Sequence, residues 1–391
     1  MEDVVIVSGC RTPIGRFQGS FSDVPASDLA AHVIREAVSR AGIQPEMVDQ
    51  VVMGIVGQVA EDAYLSRHAA VKAGLPVGIP AMNVNRICGS GLEAINTASR
   101  IIQSGDAEIV VAGGAENMTR LPFYLRKARQ GYRLGHDSIE DGIIHLLSDP
   151  FKGYHMGITA ENLAEQFEVS RAAQDEFSAE SQRRAINAIE QGYFKDQIAP
   201  ITVKIGREEK VIDTDEHPRA TTAEALGKLR PAFKEGGVVT AGNASGINDG
   251  AAAVVVMSAS KAKELGLKPR MRIVARAEAG VEPSIMGAGP IPAVRKALEK
   301  AKLTIDQINT IELNEAFASV ACACSNELSL DPAKTNPNGG AIALGHPVGA
   351  TGTILAIKAM YELERTNGHY AIASLCIGGG QGIATVFERL S

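Results

Sequence analysis

Apolar residues recur along this chain with two spacings. Short runs such as Val4 to Val7, Arg272 to Ala275 and Ala251 to Met257 read as strands, whereas Leu92, Ile95, Ser99 and Ile102 follow helical spacing. The segment Ile34 to Gly54, IREAVSRAGIQPEMVDQVVMG, aligns without gaps to Val294 to Asn314, VRKALEKAKLTIDQINTIELN, at an offset of 260 (295 - 35). Arg35/Arg295, Ala37/Ala297 and Ala41/Ala301 are identical, and Val38/Leu298, Ile43/Leu303, Val48/Ile308 and Val51/Ile311 keep apolar character. Each copy therefore predicts a helix, a turn and a strand. Any helix-strand unit shares part of this pattern, but the flanks repeat too. A strand precedes each copy, a Gly-rich helix start follows near Cys88 and near His346, and a strand ending in glycines follows that, EIVVAGG at Glu108 to Gly114 and AIASLCIGGG at Ala371 to Gly380.

Alternating strands and helices in two duplicated halves predict an α/β layered fold, with two sheets packed through shared helices. Residues 120–245 have no counterpart in the second half and are rich in charge and loop signals, although Ile158 to Gln191 reads as helical. The expected organisation is a first half over 1–119 plus 246–269, an inserted loop domain over 120–245 and a second half over 270–391. The strand Ala251 to Met257 would then return to the first half.

Composition narrows the function. The net charge of -6 supplies no basic excess for nucleic acid or an anionic membrane, so neither is expected as a partner. No apolar stretch approaches the roughly 20 residues needed to cross a bilayer. Five scattered cysteines, at 10, 88, 322, 324 and 376, suit a reducing compartment better than a disulfide framework. The opening residues lack the basic start and cleavage site of a secretory signal, so a cytoplasmic location is expected; a mitochondrial protein relieved of its transit peptide would read alike. The Cys322-Ala-Cys324 pair is too closely spaced for a zinc knuckle, and no metal is expected.

Four motifs carry candidate chemistry. Cys88 lies in Asn85-Arg86-Ile87-Cys88-Gly89-Ser90-Gly91, at the start of a helix, where amide N–H groups and the helix dipole favour a thiolate. A lone cysteine is more often a small buried hydrophobe, but here the glycines allow close approach of a substrate. His346 sits in NGGAIALGHPVGATG, at the repeat position corresponding to Cys88, and resembles a base for a thiol. Cys376 begins CIGGG, a thiol at a strand end beside glycines whose N–H groups can stabilise an oxyanion. Asn314 opens Asn314-Glu315-Ala316-Phe317 at another strand end, where its amide can hold a water or a carbonyl oxygen. Two thiols and an imidazole suggest two proton-transfer tasks.

Taken in order, NRICGSGLEAI, GNASGINDGAA, NEAF, GGAIALGHPVGATG and CIGGGQG resemble the thiolases, and among them the acetoacetyl-CoA thiolases, from the first strand to the last. The resemblance implies the thiolase fold, two βαβαβ-type halves in a layered αβαβα arrangement with an inserted loop domain. It also implies reversible Claisen condensation of two acetyl-CoA to acetoacetyl-CoA and CoA. Cys88 would take the acyl group, His346 would activate it and Cys376 would move the α-proton. The amides of Cys88 and Gly378 would hold the acyl-enzyme oxygen, while His346 and a water positioned by Asn314 would hold the enolate oxygen.

By the same resemblance, His155 in YHMG lies by a short-chain acyl pocket and Ser245 touches the pantetheine arm. Met156, Phe233, Met286, Ala316 and Phe317 would line the substrate tunnel, although apolar side chains are core by default. Arg219 would pack near the CoA nucleotide; near Ala225, where the family has a serine, this chain is one residue short. Arg120, Arg126, Lys127, Arg129 and Arg133 could add positive potential for the CoA phosphates, or simply form a solvated loop. CoA thioesters are then substrates, with no tightly bound cofactor, and a loop joining dimers implies a homotetramer. Three other readings stand beside this one: a broader-chain 3-ketoacyl-CoA thiolase, a condensing enzyme using carrier-protein thioesters, and a non-catalytic acyl-CoA binder. Cys376 argues against the carrier-protein enzyme, whose pattern is Cys-His-His. Cys-Gly-Ser-Gly is only a weak hint of a nicotinamide site, because no full GxGxxG follows a strand.

Overall fold

A computed structural model describes residues 2–390. Nine strands and one two-residue strand form a single ten-stranded sheet. Its path runs Thr310–Leu313, Tyr370–Ile377, Gln381–Arg389, Met271–Gly280, Val4–Arg11, Asn248–Ser258, Ile109–Asn117, Gln50–Gly54 and Ala81–Val84, with Gly15–Arg16 attached to Asn248–Ser258. Asn248–Ser258 thus returns to the first half, antiparallel to both Val4–Arg11 and Ile109–Asn117. The two expected sheet layers are parts of one continuous hydrogen-bonded sheet. The halves are joined edge to edge by two residue pairs, Val5 with Arg272 and Ile6 with Met271.

The duplication extends to details. In both copies a one-turn 3-10 helix, Pro45–Met47 or Ile305–Gln307, precedes a strand beginning at Gln50 or Thr310, so the offset of 260 holds residue by residue. The helices before these turns, Ala26–Ala41 and Pro290–Ala301, both end in a left-handed cap, at Gly42 (φ 69) and Lys302 (φ 56). The copies diverge at the outer edge. Ala81–Val84 is a full parallel neighbour of Gln50–Gly54, whereas its counterpart beside Thr310–Leu313 shrinks to one bridge between Ile311 and Thr335.

Strands alternate their side chains between faces, and here both faces are covered, which is why they read as continuous apolar runs. Val110 and Val254 point into a central core with Leu92, Ile95, Ile354 and Leu355, from the helices Ser90–Ser104 and Thr351–Thr366. Val111 and Val255 point the other way, against Leu29, Val33 and Ile34 of Ala26–Ala41. In the second half, Ile372 and Val386 pack against Ile291, Val294 and Val320 of the opposite outer layer. The result is five layers, helix, sheet, helix, sheet, helix, with the Ser90–Ser104 and Thr351–Thr366 helices in the middle. Each of those two starts at one of the chemistry-bearing motifs.

The region 120–245 leaves the sheet: residues 156–169 pack into the core of the second half, whereas Ala199, Ile201, Val203 and Ile212 join that of the first. The expected helix from Ile158 to Gln191 is two helices, Met156–Gln166 and Arg171–Glu190. Glu168 adopts a left-handed φ of 53° between them, and the Ser170 hydroxyl caps the second by accepting from the Ala173 N–H at 3.2 Å. The region is pinned to the first strand by Arg11, whose guanidinium reaches both carboxylate oxygens of Asp215 at 2.7 and 3.0 Å; both side chains are fully buried. Among the described residues, no helix is long and apolar enough to cross a membrane.

Candidate active site

Cys88 lies in a tight turn after the Ala81–Val84 strand, with Gly89 capping the Ser90–Ser104 helix. Ser90 Oγ accepts from the Arg86 N–H at 2.9 Å and donates to the Ile87 carbonyl at 2.6 Å. This closes the turn and holds the β-branched Ile87 at a φ of 46°. Left-handed backbone at such a residue costs about 1–3 kcal/mol and persists only where its surroundings enforce it. A side chain at Gly89 would strike Ile377, so the strand that carries Cys376 packs directly onto the turn.

The backbone amides of Cys88 itself and of Gly378 act to lower the Cys88 thiol. Burial nevertheless pushes its thiol up to about 11, aided by the nearby Glu116 carboxylate and opposed by the two amides. The helix start and the amides favour the anion, but removal from water outweighs them. Cys376, fully buried at the end of Tyr370–Ile377, is also held well above the usual thiol range, first by burial and next by the proximity of Cys88.

His346 is buried on the loop that leads into Thr351–Thr366. Its Nδ1 lies 2.6 Å from Thr351 Oγ1, which donates its own proton to the Pro347 carbonyl at 2.9 Å. Thr351 must then accept, so Nδ1 carries the ring proton and Nε2 presents a lone pair. That lone pair faces Asn314 Nδ2 at 3.3 Å. Burial lowers the imidazole to about 4, which keeps it neutral and able to take a proton. The His346 N–H is held by Asn248 Oδ1 at 3.0 Å, while Asn248 Nδ2 donates to the Gly15 carbonyl. Asn314 is fixed at its backbone by the Ser374 carbonyl at 2.9 Å, and its Oδ1 is buried without a partner. An unsatisfied buried acceptor beside an imidazole is a seat for a water or a donor group.

A narrow cavity of about 40 Å3 reaches Cys88 and His346. Its walls include His155, Met156, Ser245, Met286, Ala316 and Phe317, all six singled out in the sequence, together with Leu146, Leu147 and Val348, which were not. The Ser245 N–H donates to the Ala316 carbonyl at 3.0 Å, and Ala244 bridges Phe317, so the GNAS and NEAF motifs are zipped together along one side. Phe233 stacks on the His155 ring at 4.6 Å and meets Phe317 edge-on at 6.1 Å. His155 Nδ1 accepts from the Gly157 N–H at 3.0 Å, and burial lowers its pKa. The tip of the Met156 side chain lies directly over Gly378 and would have to shift for any larger residue there.

Arg219 stands apart. It is exposed, lines neither this cavity nor the cleft beside it, and its backbone N–H donates to Gln182 Oε1 at 2.9 Å. In the basic stretch 120–133 three of the five cations are paired, while Arg129 and Arg133 are exposed with no ion pair among the described residues. Arg126 pairs with Glu140 at 2.6 Å, Lys127 with Asp137 at 3.0 Å and Arg120 with Glu61 at 3.7 Å. Sequence reasoning also passed over Thr351 and Asn248, although both lie inside the quoted motifs, and Glu116, whose strand gave no sign of a buried carboxylate.

The site thus brings together a buried thiol, a neutral imidazole whose Nε2 lone pair faces Asn314, a second thiol and a narrow apolar approach. That is the equipment of a covalent acyl-transfer enzyme built on a duplicated α/β scaffold. Residues 4–260 match the family described as "Thiolase, N-terminal domain" and residues 267–389 the one described as "Thiolase, C-terminal domain". The chain belongs to the thiolase family. It is 51% identical over 391 residues to the Beta-ketothiolase BktB of Cupriavidus necator, covering 99% of each chain. It is 51% identical over 392 residues to an acetyl-CoA acetyltransferase of Pseudomonas aeruginosa, covering 100% of each. The crystal structure of the Bacillus anthracis acetyl-CoA acetyltransferase superposes with a TM-score of 0.98 at 48% identity, covering 100% of this chain and 99% of that one.

Proposed function

We propose that this protein is an acetyl-CoA acetyltransferase, condensing two acetyl-CoA to acetoacetyl-CoA and CoA and running the reverse thiolysis. The observation that carries the reading is one narrow cavity lined by both Cys88 and His346. The His346 ring is held between Asn314 and Thr351, and the Cys376 thiol is close enough to Cys88 to feel its charge. Cys88 attacks the thioester carbonyl as its proton passes to His346 Nε2, and the Cys88 and Gly378 amides hold the developing oxyanion. The departing CoA sulfur takes the proton of Cys376. The Cys376 thiolate then removes the α-proton of a second acetyl-CoA. The enolate, held by protonated His346 and a water at Asn314, attacks the Cys88 thioester, and Cys88 recovers its proton from His346. Thiolysis follows the same steps backwards.

The narrowness of the cavity supports a small acyl group. CoA thioesters serve as substrates with no resident cofactor, and Arg219 is assigned to the nucleotide end. A second reading, cleavage of longer 3-ketoacyl chains, is favoured by a cleft of about 430 Å3 that shares Ile87, Leu146 and Met156 with the cavity. A cytoplasmic setting is supported by five free thiols. A homotetramer is supported by the exposed apolar side chains of the inserted region. Intact-mass and peptide analysis after exposure to acetoacetyl-CoA is expected to place one acetyl group on Cys88. Thiolysis of acetoacetyl-CoA is expected to outpace that of longer 3-ketoacyl-CoA. An unlabelled Cys88 would defeat the proposal, and faster cleavage of longer chains would move it to the second reading.

A further inference from the structure

The nucleophile and its base come from opposite halves of the duplication, so something must fix their separation. The peptide of Gly349, three residues after His346, inserts into the first half. An ideal Cβ at Gly54, Gly91 or Gly114 would lie under 3.0 Å from the Gly349 carbonyl oxygen, so three glycines of the first half make room for this one group. Opposite them stands Glu116, fully buried near the end of Ile109–Asn117. Its carboxylate accepts from the N–H groups of Val56 at 3.0 Å and Gly57 at 2.9 Å, both in the first half, and from that of Gly349 at 3.0 Å, in the second. The same carboxylate is close enough to Cys88 for its charge to be felt there.

We propose that Glu116 is a positioning residue that sets the distance between His346 and Cys88 by clamping the Gly349 peptide to the Val56–Gly57 turn. It touches no substrate and transfers no proton. The inference rests on the acyl-transfer reading of the site. Replacing the carboxylate orphans N–H donors in both halves at once, and the loop that carries His346 is then free to drift from the sulfur. Misplacement of a catalytic group by about 1 Å is enough to cost on the order of 100-fold in rate.

The test compares Glu116→Gln, Glu116→Ala and Gly349→Ala with the parent enzyme in acetoacetyl-CoA thiolysis. Gly349→Ala adds a methyl at 2.7 Å from Glu116 Oε2 and so disturbs the clamp from its other side. All three variants are expected to lose about 10- to 100-fold in kcat while KM stays within about twofold, because binding is made by other residues. Iodoacetamide is expected still to label Cys88 in each. A folded Glu116→Gln protein with kcat within about twofold of the parent overturns the inference, as does a kcat loss matched by an equal loss of folded protein. Should Glu116→Ala fail to fold, the other two variants decide. A parent enzyme that never acquires an acetyl group on Cys88 would instead sink the reading of the site itself.

Discussion

At Cys88 two influences pull on the thiol in opposite directions. Burial raises it to about 11, and two N–H groups pull it down without winning, while His346 is lowered to about 4. The resting pair is therefore an uncharged thiol and an uncharged imidazole, and transfer of the proton between them is uphill. The thiolate has to form together with attack on the carbonyl, when the Cys88 and Gly378 amides gain an oxyanion to hold. This sets the pH dependence of the free enzyme. The thiolate fraction grows as pH rises toward the folded pKa, so Cys88 alkylation by iodoacetamide should rise about tenfold per pH unit above neutrality. A rate already level between pH 7 and 9 would mean that the pair rests as thiolate and imidazolium. The depressed imidazole gives the complementary limb. Its base form persists well below the ordinary histidine range and is lost only as pH falls through about 4, so kcat/KM should show no acid limb near 6.5.

Among the elements, the duplicated helix caps provide a direct test of how faithful the repeat is. Gly42 and Lys302 occupy the same position, both left-handed, but only glycine reaches that region without a steric penalty. A side chain there costs about 1–2 kcal/mol, of which the extra freedom of unfolded glycine offsets roughly half. Lys302→Gly should thus stabilise the protein by about 0.5–1 kcal/mol in urea unfolding. A loss of stability would show that the lysine side chain makes up for the strain. The two caps also illustrate what was legible beforehand. Helix 26–41, its turn and the strand after it are written in local periodicity, so their twin could be found by alignment within one chain. The Cys88, His346 and Cys376 motifs stand out for the same reason, as glycine-rich punctuation at element ends, and Asn314 as the polar residue that ends an apolar strand. Glu116 was not, because its partners lie 60 and 233 residues away and nothing local marks a carboxylate as a clamp. The burial of Cys88 was not legible either: the helix start is visible in the sequence, but the side chains that cover the thiol, Met118, Leu121, Ile143 and Val348, come from distant segments. The sheet junction at Val5 and Ile6 depends on how the halves meet, which no periodicity records.

For the whole molecule, the inserted region presents a surface that a lone chain has little reason to keep. Phe123, Leu134, Ile139, Ile144 and Phe151 are all exposed, Leu134 at 99%, within one stretch of the chain. Arg126 pairs with Glu140 and Lys127 with Asp137, and the four Lys and Arg of 123–151 are matched by four Asp and Glu, so the stretch combines exposed apolar side chains with balanced charge. Apolar side chains gathered in this way mark association sites in soluble proteins. In the proposed closed homotetramer each contact would be repeated by symmetry, so one substitution would weaken every copy of it. Leu134→Asp combined with Ile139→Asp would place an unpaired carboxylate at each of those contacts, which costs several kcal/mol if it must be buried. Light scattering should therefore show the parent as a tetramer and the double variant as a smaller species. Turnover should be retained, since neither residue lines the cavity that reaches Cys88. A tetramer that survives both carboxylates would place the interface elsewhere, and a parent that runs as a monomer would remove the assembly altogether.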